Sequence, residues 1–212
     1  MLNIYKYFNN SSILDNQQLY EDAISSVITY HTTIDVYQRI EQTNWEKIKH
    51  IVKKIPDYAA NHAAYISKER WLEAEPYILK DSRQILFYTV KLMQGRWPEG
   101  EAALLSNQNE LDSKYVLYLY AKDVIQGRWP EAEPFIMTDY EAIYYYAEYV
   151  IRGRWPEGEQ AMLSLPFQSP NNDVHYLYWY ANMVMKERWL AAEPLIKQDD
   201  VQWCGYCTHF NI

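Results

Sequence analysis

QGRWPEAEPFIMTD, running from Gln126 to Asp139, is one of five renderings of a single phrase. The others are KERWLEAEPYILKD, QGRWPEGEAALLSN, RGRWPEGEQAMLSL and KERWLAAEPLIKQD, and their tryptophans fall at Trp71, Trp97, Trp129, Trp155 and Trp189. The intervals between these tryptophans are 26, 32, 26 and 34 residues, and a degenerate earlier copy begins at Trp45. Copies reading A-E-P precede the short interval and copies reading G-E-[AQ] the long one, so the translational unit is a pair of copies. Self-similarity at such a period is the mark of a repeat architecture in which each copy is one supersecondary unit.

Each copy reads as two short helices of about ten residues, roughly 15 Å long. Pro98, Pro130 or Pro156 after the tryptophan suits the first helical position, where a missing N–H removes nothing. The glutamates behind it suit the positive end of the helix dipole. Pro76, Pro134 and Pro194 lie four residues further on and leave two readings, an irregular first turn or a helix that starts at the second proline.

The second helix is written in columns counted back from the next tryptophan. At −8 stand Ala63, Thr89, Ala121, Ala147 and Ala181, and at −9 His62, Tyr88, Tyr120, Tyr146 and Tyr180. Positions −5 and −12 are apolar in nearly every copy, and spacings of three, four and seven place these columns on one helical face. The small column admits a neighbouring helix, and Gly95, Gly127 and Gly153 read as C-terminal cap glycines. The expected fold is all-α, tandem helical hairpins stacked as an α-solenoid, with residues 1–44 as a helical N-terminal cap and 45–212 as one continuous array.

Composition narrows the function. The net charge of −8 is spread along the chain, and without clustered Lys and Arg a phosphate-binding surface is not expected. The 21 Tyr and 8 Trp are therefore assigned to packing and interfaces rather than to stacking on bases. Apolar runs are short and interrupted by charge, which points away from membrane spans. The opening MLNIYKYFNN has no basic region followed by an apolar core, and the cytoplasm is the expected compartment.

One motif suggests chemistry. WCGYCTH, Trp203 to His209, has the look of a thioredoxin-type redox centre, but such a centre needs a strand before it and a helix after it. On the repeat ruler, Tyr206 falls in the tyrosine column and Cys207 in the small column, so the pair reads as small thiols buried in a last, truncated copy. Zinc would need a fourth ligand beside Cys204, Cys207 and His209, and none is visible nearby. His31, His50, His62 and His175 form no ligand spacing, and there is no phosphate loop or nucleophile elbow. Recurrent carboxylates such as Glu131/Glu133, and the recurrent Arg128, are read as scaffold pairs, because a catalytic group is needed once. No catalytic residue, cofactor or metal is assigned.

Function is sought in what varies. The long connections, Ser106 to Ser113 and Leu165 to Asp173, contribute Asn107, Gln108, Glu110, Asp112, Phe167, Gln168, Asn171 and Asp173 as candidate protein-binding residues. Column −10 varies among Phe87, Leu119, Tyr145 and Trp179, and contributes Tyr145 and Trp179 as interface aromatics.

The phrase GRWPEAEPFIMTD preceded by YAKDVIQ resembles tandem repeats of bacteriophage and bacterial proteins whose copies read close to YAKDVIKGRWPEAEPYIMKD, a likeness strong over residues 58–203. The opening YKYFNNSSILD is similar to the start of such phage proteins. The resemblance implies a phage origin and expression in a bacterial host, and brings no established chemistry with it. The expected function is a non-enzymatic repeat protein that binds a host protein with a basic surface, such as a defence effector, without direct contact to nucleic acid or membrane. The alternatives are an acidic nucleic-acid mimic, a small-molecule sponge held between repeats, and, last, CxxC redox or metal chemistry; self-association is compatible with any of them.

Overall fold

Asp139 lies in extended backbone just ahead of the helix Tyr140–Tyr145, and its carboxylate accepts a hydrogen bond from the Ala142 N–H at 2.9 Å. Asp81 and Asp199 cap Ser82–Tyr88 and Asp200–Phe210 in the same way, satisfying donors that a helix start leaves open. These caps belong to a computed structural model that describes residues 49–107, 113–167 and 170–212. The described residues are helical and turn structure, with no strand among them. The expected cap over residues 1–44 and the start of the copy at Trp45 lie outside them. The chain divides into two compact units, Met1–Ala103 and Leu104–Ile212.

The two kinds of copy start differently, and the alternation of Gly and Ala three residues after the tryptophan explains why. In the G-E copies the helices Pro98–Ser106 and Pro156–Ser164 begin directly after the tryptophan. That path lays Gly100 and Gly158 under the indole rings of Trp97 and Trp155, where an added Cβ would collide with ring carbons and press on Ile85 or Ile143. In the A-E-P copies a turn intervenes, and the helix is only Glu75–Ile78, Glu133–Ile136 or Glu193–Ile196, with the second proline in its first turn. Ala74, Ala132 and Ala192 fit there, fully buried. The first helices of these copies are thus four residues long, against the ten that the phrase suggests.

The second helices also depart from a plain α-helix. Each passes into a π-helical segment at or next to the tyrosine column: His62–Ser67, Thr89–Met93, Ala121–Ile125, Tyr146–Ile151 and Tyr180–Met185. The wider turn is closed by the small-column carbonyl, which accepts from Gln126 at Ala121, from Arg152 at Ala147 and from Lys186 at Ala181. It also rotates column −5 partly outward: Val124 and Val150 are half-buried while Leu117 and Ile143 of column −12 are fully buried.

The cap glycines are a correction. The left-handed residues that end these segments are Lys68, Gln94, Gln126, Arg152 and Lys186, and no glycine has positive φ. The chain reverses one residue before Gly127 because Gln126 already donates to the Ala121 carbonyl, with the Gly127 N–H reaching the same oxygen at 3.2 Å. Glu69 and Glu187 occupy the glycine's place in the K-E-R-W copies, so that place makes no demand for glycine.

What closes each hairpin is a recurring clasp. Arg128 donates twice to Glu133, at 2.8 Å from Nε and 2.8 Å from Nη2. Tyr146, on the second helix of the same copy, donates to Glu133 at 2.9 Å and accepts from the Trp129 N–H at 2.7 Å. Its ring meanwhile packs on Trp155 at the start of the next copy, 5.0 Å between centroids, and so joins the two. Tyr88, Tyr180 and Tyr206 repeat the hydrogen bonds with Glu75 and Trp71, Glu159 and Trp155, and Glu193 and Trp189. The Arg128 guanidinium, opposed by burial, and the Tyr146 phenol hold the Glu133 carboxyl below its ordinary pKa, while burial pushes the Tyr146 phenol up. The tyrosine column is therefore a hydrogen-bonding column as well as a packing one, which explains why it is Tyr and not Phe. Within the second unit the helices Ser113–Tyr120, Tyr140–Tyr145, Pro170–Trp179 and Asp200–Phe210 pack successively; in the first, Pro56–Asn61 packs on Ser82–Tyr88.

Candidate functional site

On the second helices of the second unit, the side chains turned away from the clasp form a connected group of aromatic rings. Tyr145 lies at its centre, stacked 5.3 Å from Tyr118 and 6.0 Å from Tyr149, with Tyr115 edge-on at 6.0 Å. Tyr144, 5.1 Å from Tyr145, carries the network to Tyr176 at 5.9 Å and Trp179 at 5.7 Å. His175 closes the far end, 3.8 Å from the Trp179 ring. Its Nδ1 lies 3.3 Å from Gln202 Oε1, which ties the group to the last helix. Tyr115 and Tyr149 are 40% and 43% exposed, enough for both to offer ring surface to a partner.

The edge of this face is acidic. Glu148 lies beside the Tyr144 phenol and Glu141 beside the Tyr176 phenol. Burial first, and then these carboxylates, raise both phenols, and Tyr145 is raised by burial and Glu141, so all three stay protonated at neutral pH. The second carboxylate oxygen of Glu148, Oε2, is buried and has no hydrogen-bond partner among the described residues. Lys122 Nζ sits 5.8 Å from the Tyr149 ring centroid, an internal instance of a cation over this aromatic surface. The first unit carries a smaller counterpart, in which Tyr65 meets Phe87 at 5.8 Å and Lys91 lies over Tyr65.

The candidate residues from the sequence divide accordingly. Tyr145 and Trp179 are both in the aromatic group, joined through Tyr144 and Tyr176. Phe167 is not: it is half-buried and packs on Tyr140, whose hydroxyl donates to the Leu165 carbonyl at 2.7 Å. Asp173 belongs to the first turn of the helix Pro170–Trp179, so the second long connection ends earlier than its composition suggests. Asn107 follows the helix Pro98–Ser106 and is half-buried. Gln108, Glu110, Asp112 and Gln168 lie outside the described residues, as does the side chain of Asn171.

Tyr118, Tyr144 and Tyr115 went unassigned because their columns change character between copies. Column −11 reads Leu86, Tyr118, Tyr144, Tyr178 and column −14 reads Arg83, Tyr115, Glu141, His175. Variation within a column, the signal that singled out −10, marks these as well.

The CxxC motif lies inside the helix Asp200–Phe210, with Tyr206 in the clasp position and no strand before it. The thiols are not buried, which corrects that reading: Cys204 is exposed and Cys207 half-buried. The small column is covered in earlier copies by the π-helical segment of the next, as Tyr146–Ile151 is by Tyr180–Met185, and no described helix lies over Cys207 in this way. Among the described residues no three His, Cys, Asp or Glu side chains converge to hold a metal ion. No described helix is long and apolar enough to cross a membrane. The chain matches no protein-family model, no curated protein and no solved structure.

Proposed function

We propose that this chain is a binding protein rather than an enzyme, that its copies stack as an α-solenoid, and that the second unit grips another protein through the aromatic face centred on Tyr145. One observation carries the reading: aromatic rings supplied by three successive second helices form one network that is only partly covered. Interfaces draw their energy from such anchors, because Tyr and Trp bring large apolar area with few rotatable bonds and a polar group for orientation. The likeness of the repeat phrase to phage and bacterial repeats extends the reading to a phage factor that occupies a host protein.

The test is affinity purification of the tagged chain from bacterial lysate, beside a Tyr145→Ala/Trp179→Ala double variant verified as folded by circular dichroism. A host protein retained by the parent and lost by the variant is the expected result. Equal retention by both would remove the aromatic face as the binding surface.

A further inference from the structure

We propose that the aromatic face receives the cationic side chain of a lysine or arginine in a basic segment of a partner protein, seated on Tyr145, Tyr149 and Tyr176 between Glu141 and Glu148. This deepens the protein-binding reading and rests on it. Three observations converge. First, the ring faces of stacked tyrosines are electron-rich and attract cations within about 6 Å of a centroid, and Lys122 already lies over Tyr149 at 5.8 Å. Second, both carboxylates lie against tyrosines of the face, Glu148 beside Tyr144 and Glu141 beside Tyr176, which puts negative charge within the aromatic surround. Third, Glu148 Oε2 is buried without a hydrogen-bond partner among the described residues. A buried acceptor left open costs free energy, and a donor that also carries positive charge is the group that satisfies both the oxygen and the rings.

Charge complementarity selects the occupant. The chain carries a net charge of −8, which steers basic partners toward it and repels acidic ones. An apolar partner surface would fit the rings but would leave Glu148 Oε2 unanswered. A lysine or arginine offers its aliphatic stem to the tyrosines and its head to the carboxylates.

The experiment uses the full chain and a fluorescein-labelled peptide of alternating lysine and glycine, read by fluorescence anisotropy at physiological salt. Its Nζ-acetylated counterpart has the same length and no side-chain charge. The parent chain is expected to bind the lysine peptide and to bind the acetylated one at least about tenfold more weakly. Glu148→Gln is expected to weaken binding about tenfold, and Tyr149→Leu, at an exposed position, to weaken it similarly. Glu99→Gln removes one charge from an exposed site in the first unit and is expected to change nothing. Equal binding of the two peptides, or equal losses in Glu148→Gln and Glu99→Gln, would overturn the cation site. If Tyr145→Ala/Trp179→Ala abolishes capture of a host protein while Glu148→Gln neither reduces that capture nor weakens the peptide, this inference fails and the protein-binding reading survives.

Discussion

Tyr145 and Tyr146 are neighbours in sequence and belong to different molecular economies. Tyr146 is fully buried, hydrogen-bonded to Glu133 and Trp129, and its counterparts do the same in other copies. Tyr145 is half-buried among rings, and its column reads Phe87, Leu119, Tyr145 and Trp179. The seam repeats because every hairpin has the same donors and acceptors to satisfy; the face varies because no clasp depends on it. Recurrence in this chain therefore locates structure, and variation locates the surface that is free to specialise.

The sharpest way to break this contrast is to truncate each tyrosine in turn. Tyr146→Ala removes a buried ring and one donor to Glu133 and strands the Trp129 N–H, and is expected to cost about 4 kcal/mol in chemical denaturation. Tyr145→Ala is expected to cost about 1 kcal/mol and to act on binding instead. Comparable losses of stability from the two would erase the distinction between seam and face.

A smaller effect tests the starts of the copies. Gly158→Ala places a methyl against the Trp155 ring and Ile143, for an expected loss of about 2 kcal/mol in the same measurement. If it is neutral, the Gly and Ala copies are interchangeable and the two kinds of helix start are not set by this contact.

The smallest effect concerns His62, which holds the tyrosine position in the first unit, buried and 4.9 Å from Trp71. Burial lowers its pKa from 6.5 to about 4, so the fold favours the neutral ring. Its contribution is whole above the unfolded value near 6.5 and is lost as the pH falls toward about 4, because the unfolded chain takes up the proton first. Urea midpoints measured across that window are expected to fall with acid, and His62→Phe is expected to flatten that part of the slope. An unchanged slope would show that other groups carry it.

The pairing of helices and the tyrosine column were legible because each recurs at fixed distance from a tryptophan. The π-helical segments were not, since one widened turn per copy adds no periodicity to a stretch of five or six residues. Gly127 pointed to a cap through its recurrence, yet the turn it follows is closed at Gln126, and a side chain is tolerated there. Tyr145 and Trp179 were found through column −10, whereas Glu148 gained meaning only from geometry, because nothing in its spacing says that one of its oxygens is buried and open. The loop candidates rested on length alone, and Phe167 turned out to pack on its own chain.

The clasp closes inside the copy that encodes it, while its tyrosine ring reaches the next. Arg128, Trp129, Glu133 and Tyr146 of one copy hold one another, and the Tyr146 ring packs on Trp155 at the start of the following copy. A gene segment carrying one copy thus carries a whole clasp, a tryptophan that receives the ring of the copy before it and a tyrosine whose ring packs on the tryptophan of the copy after it. Such segments are interchangeable couplings, like carriages with a hook at one end and a ring at the other, and a recombination that inserts or deletes whole phrases leaves every junction matched. The chain can change its number of copies by duplication without a compensating mutation, while each copy's outer face drifts independently.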